Sequence, residues 1–173
     1  RLNWPAYKVF KRKDTCEGDV TRILFVGYLL KRKGADFFID SIKSLKARGR
    51  HVEAVIIGEG VEEEALKDKI IADGLAEVVD MKGHIPNGAP LIEEYRKADI
   101  FVMPSCSGEG FPRVLYEAMC QGLPIVSSDI CGIDEKLDRG KHALFVPPSD
   151  GKAIADKIEF LLDNPQQRRK QIA

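Results

Sequence analysis

Neither charge sign dominates this chain: 27 Lys and Arg stand against 27 Asp and Glu in 173 residues. That balance removes the electrostatic argument for nucleic acid or for an anionic membrane as a partner, so any anion site has to be local. Cysteine is scarce. Cys16, Cys106, Cys120 and Cys131 form no C-x-x-C pair and have no histidine at zinc-finger spacing, which argues against a metal site. Scattered thiols of this kind suit a reducing compartment, so a cytoplasmic location is expected. Long apolar runs are missing as well. "ILFVGYLL" is cut by "KRKG" after eight residues, well short of a membrane span, and no signal-peptide pattern is visible. Three histidines, His51, His84 and His142, share no ligand spacing and compose no acid/base triad.

What the chain does have is alternation. "RILFVG" (22–27), "HVEAVIIG" (51–58), "AEVVDMKG" (76–83), "DIFVMPS" (99–105), "LPIVSSD" (123–129) and "ALFVP" (143–147) have strand length and β-branched or aromatic content. Between and after them run one-faced helical stretches, with Phe38, Ile42 and Leu45 in the first and Ile154, Ile158, Leu161 and Leu162 in the last. Gly49, Gly74 and Gly122 follow last turns, Ser149 is the expected N-cap of the final long helix, and Pro165 is expected as a stop. The pattern predicts an α/β domain: a Rossmann-like, doubly wound, six-stranded, mostly parallel sheet with helices on both faces. Ligands of such sheets bind at the carboxyl ends of the strands, where strand order reverses. The loops to inspect are therefore "GYLLKRKG", "GEGVEE", "GHIPNGAP" and "SCSGEGFP". "GEG" lacks the third glycine of a dinucleotide fingerprint and reads as a turn, which sets an NAD-dependent dehydrogenase far down the order.

"EGFPRVLYEAMCQGLP" (109–124) holds two glutamates eight positions apart around a helix start. Pro112 is the expected first-turn residue, and the free N–H groups from Arg113 onward suit a phosphate or diphosphate. Glu109 precedes the turn and Glu117 lies about a turn and a half into the helix, placed to accept from adjacent hydroxyls such as those of a ribose. Taken on spacing alone, the favoured reading is a solvated loop residue for Glu109 and a surface helix residue for Glu117, because glutamate is common at both kinds of place.

The stretch "EGFPRVLYEAMCQGLPIVSSDICGIDE" resembles the signature of retaining GT-B-type glycosyltransferases, with Glu109 and Glu117 as its glutamate pair and Ala118, Met119, Gly122 and Pro124 after them. "ILFVGYLLKRKG", "AVIIGEG", "ADIFVMPS" and "HALFVPPSDGKAIADKI" resemble further blocks of the same family in the same order, so the likeness runs from about residue 22 to 165. It implies the C-terminal, donor-binding half of a GT-B fold. Glu109 would then contact the donor sugar and Glu117 the ribose, while backbone amides around Gly110, Phe111, Arg113 and Val114 hold the diphosphate. Lys33, six residues after Gly27, would pair with the diphosphate and stabilise the departing nucleotide, and the base would rest against His84 and Ile85. Tyr28 departs from the family, which usually has Arg there. Loss of a charge-assisted hydrogen bond costs about 1.5–3 kcal/mol, hence tenfold or more in affinity, unless Lys31 or Arg32 of the same loop supplies the contact.

The resemblance implies a donor that is a UDP-, GDP- or ADP-sugar, no further cofactor, and no metal if protein cations neutralise the diphosphate. The expected organisation is a linker over residues 1–21, the nucleotide-sugar domain over 22–165, and the start of a helix over 166–173. An acceptor, glycan or lipid-linked, would be held by an N-terminal domain outside this chain. "YKVFKRK" (7–13) mixes aromatic and basic residues and reads as a solvated linker, with peripheral contact at the cytoplasmic face of a membrane as the other reading. Nucleotide-sugar 2-epimerases share the two-domain architecture but usually lack the Glu-Gly-Phe block. A nucleotide-binding scaffold without transfer activity is the alternative that Tyr28 favours.

Overall fold

The computed structural model describes residues 9–107, 112–130, 133 and 137–172. Six strands, β1 (Thr21–Val26), β2 (Val52–Ile57), β3 (Val79–Gly83), β4 (Ile100–Met103), β5 (Ile125–Ser128) and β6 (Leu144–Val146), alternate with helices. The helices are α1 (Ala35–Ala47), α2 (Glu63–Ala72), α3 (Ala89–Lys97), α4 (Arg113–Cys120), α5 (Gly151–Asp163) and α6 (Pro165–Ile172). Every strand pair is parallel and the order is β3-β2-β1-β4-β5-β6. This is the Rossmann-like, doubly wound sheet that the alternation predicts.

The continuous apolar strands have a direct cause. Successive side chains of β1 go to opposite faces: Ile23 and Phe25 join a core with Phe38, Ile42, Ile154 and Ile158, whereas Leu24 joins one with Tyr95, Phe101 and Leu115. Helices α1, α2 and α5 thus cover one face, and α3 and α4 the other. Burying both faces of the central strands leaves few positions where a polar residue costs little, so their patterns read as apolar bursts.

Local punctuation agrees with the sequence at the three glycines, Gly49, Gly74 and Gly122, all with φ between 63° and 74°. Elsewhere it shifts by a residue. Pro112 is the N-cap of α4, and helix begins at Arg113. Ser149 does not cap α5: it adopts φ 59°, and the Asp150 carboxylate accepts from the Ala153 N–H at 2.8 Å. A carboxylate at the positive end of a helix dipole is the better cap. Pro165 opens α6 rather than stopping the chain, because its missing N–H is harmless in a first turn. Strand β3 starts at Val79, later than expected, since Val78 and Val79 both donate to the Leu75 carbonyl in a closing turn.

Residues 9–16, in the span expected as a linker, are tied to the body of the domain. Phe10 N–H donates to the Cys120 carbonyl at 2.8 Å. The Arg12 guanidinium donates to the Tyr95, Arg96 and Ala98 carbonyls at the end of α3 and to the Gln121 carbonyl at the end of α4. One cation thus serves two negative helix ends. Asp14 pairs with Arg168 of α6 at 2.9 Å, both side chains 6% exposed, and with Arg169 at 3.0 Å. Burial alone would raise the Asp14 carboxyl, but the arginines and the Thr15 N–H hold it below its ordinary value. Arg12→Ala, which strands four carbonyl contacts, is expected to cost about 2 kcal/mol of stability. Urea denaturation followed by circular dichroism checks this; a midpoint equal to that of the parent protein would show the strap to be energetically idle.

Two of the cysteines, Cys16 and Cys120, are quiet. Burial pushes the Cys16 thiol up to about 11, and burial together with nearby Glu117 raises Cys120. Neither is poised as a thiolate nucleophile.

Candidate functional site

Strand order reverses between β1 and β4, which are neighbours although β2, β3 and three helices separate them in sequence. At such a switch point the two following loops diverge and leave a crevice. Here it holds a cavity of about 440 Å³, lined among others by Gly27, Tyr28, Lys33, His84, Ile85, Asn87, Ser105, Arg113, Val114 and Glu117.

The rim is stitched by backbone hydrogen bonds. Leu29 N–H donates to the Glu59 carbonyl, Glu62 N–H to the Leu29 carbonyl, Gly58 N–H to the Gly83 carbonyl, and Cys106 N–H to the Arg32 carbonyl. Two glycines permit these approaches. Gly34 has φ 70°, and a Cβ there would sit 2.1 Å from the Pro104 carbonyl oxygen; Gly58 has φ 145°, and its Cβ would sit 1.8 Å from the Gly27 oxygen. Any side chain at either place would pry the loops apart.

Lys33 ends a 3-10 turn, Lys31–Lys33, and its N–H donates to the Leu30 carbonyl at 2.8 Å. Of the three basic residues in this turn it is the one lining the cavity. Lys31 turns instead to Asp36 at 3.2 Å, which raises its ammonium above the ordinary value. Arg32 is exposed and outside the cavity lining. Tyr28 is 65% exposed and presents a neutral ring at the rim.

On the opposite wall, Glu117 is 2% exposed. The Tyr95 hydroxyl donates to its Oε2 at 2.8 Å, and Arg113 Nε lies 2.9 Å from its Oε1. The surface-helix reading of Glu117 is therefore set aside: a carboxylate held this deep by named donors is a built feature. Arg113 also donates Nη2 to Asn87 Oδ1 at 2.6 Å, bridging α4 to the loop after β3. No side chain among the described residues caps the first turn of α4, whose positive end faces the crevice. His84, 57% exposed at its side chain, stands 3.9 Å from Glu59. Glu109, Gly110 and Phe111 lie outside the described residues.

Tyr95 and Asn87 went unnoticed in the sequence. Tyr95 sits at a core position of an amphipathic helix, and only its buried hydroxyl, which needs a partner, could have signalled the link to Glu117. Among the described residues no group of three or more His, Cys, Asp or Glu could hold a metal ion, and no helix is long and apolar enough to cross a membrane.

Comparison with known proteins agrees with the fold. The chain belongs to the glycosyl transferases group 1 family, which it matches over residues 8–173. It is 34% identical over 152 residues to a phosphatidyl-myo-inositol mannosyltransferase of Mycobacterium leprae, covering 87% of this chain and 40% of that protein. It is 37% identical over 140 residues to the amylovoran biosynthesis glycosyltransferase AmsK of Erwinia amylovora, covering 78% and 34%. The chain thus spans between a third and two fifths of the length of such relatives. Among solved structures, Anabaena HepE in complex with UDP superposes with TM-score 0.80 at 22% identity, over 89% of this chain and 42% of that one. The C-terminal domain of the group 1 glycosyl transferase LpcC from Francisella tularensis superposes with TM-score 0.78 at 23% identity, over 95% and 90%. The fold is that of one half of a GT-B glycosyltransferase.

Proposed function

We propose that this chain is the nucleotide-sugar-binding domain of a retaining glycosyltransferase that transfers a hexose to a glycan or lipid-linked acceptor, in polysaccharide or cell-surface glycan synthesis. The observation that carries the reading is the pairing, across one switch-point cavity, of a buried carboxylate, Glu117, with a lining cation, Lys33. A nucleoside diphosphate has the matching chemistry, hydroxyls at one end and two anionic groups at the other. The names of the relatives, a phosphatidyl-myo-inositol mannosyltransferase and an amylovoran biosynthesis glycosyltransferase, support the substrate class. The UDP bound by a structural neighbour supports the ligand. The acceptor falls to a second domain, Glu109 to the donor sugar, and the reaction to the cytoplasmic side, without a metal.

In this mechanism the bond from the sugar's anomeric carbon to the diphosphate oxygen breaks and the electron pair leaves with the diphosphate. The acceptor hydroxyl bonds to the same face of that carbon, and its proton passes to the departing diphosphate. Lys33 and the α4 amides meet the charge where it develops, and their fixed positions spare the cost of reorganisation. Tyr28 supplies no charge here, and Lys31 is engaged by Asp36, so the diphosphate depends on Lys33 and α4.

Calorimetric titration of this chain with UDP, GDP and ADP tests the proposal. Saturable binding of at least one, with a dissociation constant below about 1 mM, is the expected result. Absence of heat with all three, in protein that melts cooperatively, would overturn it.

A further inference from the structure

Arg113 is the first residue of α4, and its guanidinium spans two side chains: Nε to Glu117 Oε1 at 2.9 Å and Nη2 to Asn87 Oδ1 at 2.6 Å. A guanidinium only donates. The Asn87 carboxamide therefore has to turn its oxygen to Arg113, and the polar group it has left for the cavity it lines is its NH₂, a donor. The position is consistent with a base reader, since Asn87 shares the loop after β3 with His84 and Ile85 on the same cavity wall. Without Arg113 the amide could rotate and present either end, and it would read nothing.

Resting on the nucleotide-binding reading above, we propose that Asn87, locked by Arg113, acts as a fixed donor to the base and selects one with an exocyclic carbonyl, uracil or guanine, over one with an exocyclic amino group in the corresponding place. An amino group would set donor against donor, so the hydrogen bond is lost and the carbonyl-bearing base is favoured. Because Arg113 also holds Glu117, one side chain sets both the base-facing amide and the carboxylate opposite the hydroxyls, so base and ribose are read in register.

The test uses nucleotide pairs that differ at this group: UDP against CDP, and GDP against ADP, titrated into this chain and into Asn87→Asp. The aspartate keeps the contact to Arg113 but can only accept. In the parent protein the carbonyl-bearing member of the pair that binds better should bind about tenfold more tightly than its amino counterpart, and in Asn87→Asp that ratio should fall to about one or invert. A ratio near one in the parent protein, a preference for the amino base, or a ratio that survives Asn87→Asp would each overturn the inference while leaving nucleotide binding intact. Failure of all four nucleotides to bind would instead strike the proposed function itself. Asn87 is exposed, so an unchanged melting temperature is expected and separates loss of reading from loss of folding.

Discussion

Lys33→Ala is expected, on the proposed function, to slow sugar transfer from the nucleotide donor by about 10²–10³-fold in protein carrying the proposed acceptor-binding domain, with a smaller loss, about tenfold, in nucleoside diphosphate affinity. The asymmetry is the point. A cation beside a diphosphate binds the ground state modestly, because both groups are solvated before they meet. It binds the transition state strongly, because charge accumulates on the bridging oxygen as the sugar departs. The turn that carries Lys33 is built for constancy: Lys33 N–H is bonded to Leu30, Gly34 lies against the Pro104 carbonyl, and Cys106 N–H closes the turn onto the β4 loop. Lys31 is held by Asp36, so the neighbouring cation is not placed to substitute. Initial rates of nucleoside diphosphate release, with affinities measured separately for the diphosphate and for the bare nucleoside, decide the assignment. Nucleoside affinity should not change. Transfer at the parent rate, or equal losses for nucleoside and diphosphate, would remove Lys33 from the chemistry.

How much of this could be read beforehand differs between backbone and side chains. The sheet was legible because its central strands are buried on both faces, and such burial forces apolar bursts such as "AVIIG" between one-faced helices. The crevice followed from the alternation, as strand order must reverse somewhere in a doubly wound sheet. Lys33 and Glu117 were legible through family resemblance, and the fold brings them to one cavity. Arg12 was not. It sits among Lys11 and Lys13 in "KRK" and looks like either; what distinguishes it is a set of carbonyls from residues 83 to 109 positions away, which come together only when α3 and α4 end side by side. The cap of α5 escaped for a smaller reason: Ser149 and Asp150 are both good caps, and backbone curvature chose between neighbours. Asn87 escaped because its meaning lies in which end of an amide is taken, and that is set by Arg113 across the cavity.

Glu117 separates the spacing argument from the structural one. A surface glutamate at that position would be expendable, whereas the observed carboxylate is buried between Tyr95 and Arg113 on the wall of the cavity. Two ribose hydroxyls donating to one carboxylate make charge-assisted hydrogen bonds, each worth about 1.5–3 kcal/mol, part of which is offset by desolvation. Glu117→Ala is accordingly expected to weaken nucleoside diphosphate binding by about a hundredfold. Glu117→Gln should cost about tenfold, because the amide oxygen can still face Arg113 and its NH₂ can donate to the Tyr95 hydroxyl, which also accepts. The alanine variant also leaves Tyr95 and Arg113 without their carboxylate, so folding has to be read independently, by melting temperature. A graded loss of affinity, larger for alanine than for glutamine and larger for ribonucleotides than for their 2′,3′-dideoxy analogues, would assign the carboxylate to the sugar hydroxyls. If melting temperature falls while affinity per folded molecule stays the same, Glu117 is a packing anchor for α3 and α4, and the hydroxyls are held elsewhere on the crevice wall. The dideoxy comparison is the sharper arm, since it removes the hydroxyls from the ligand and leaves the protein untouched.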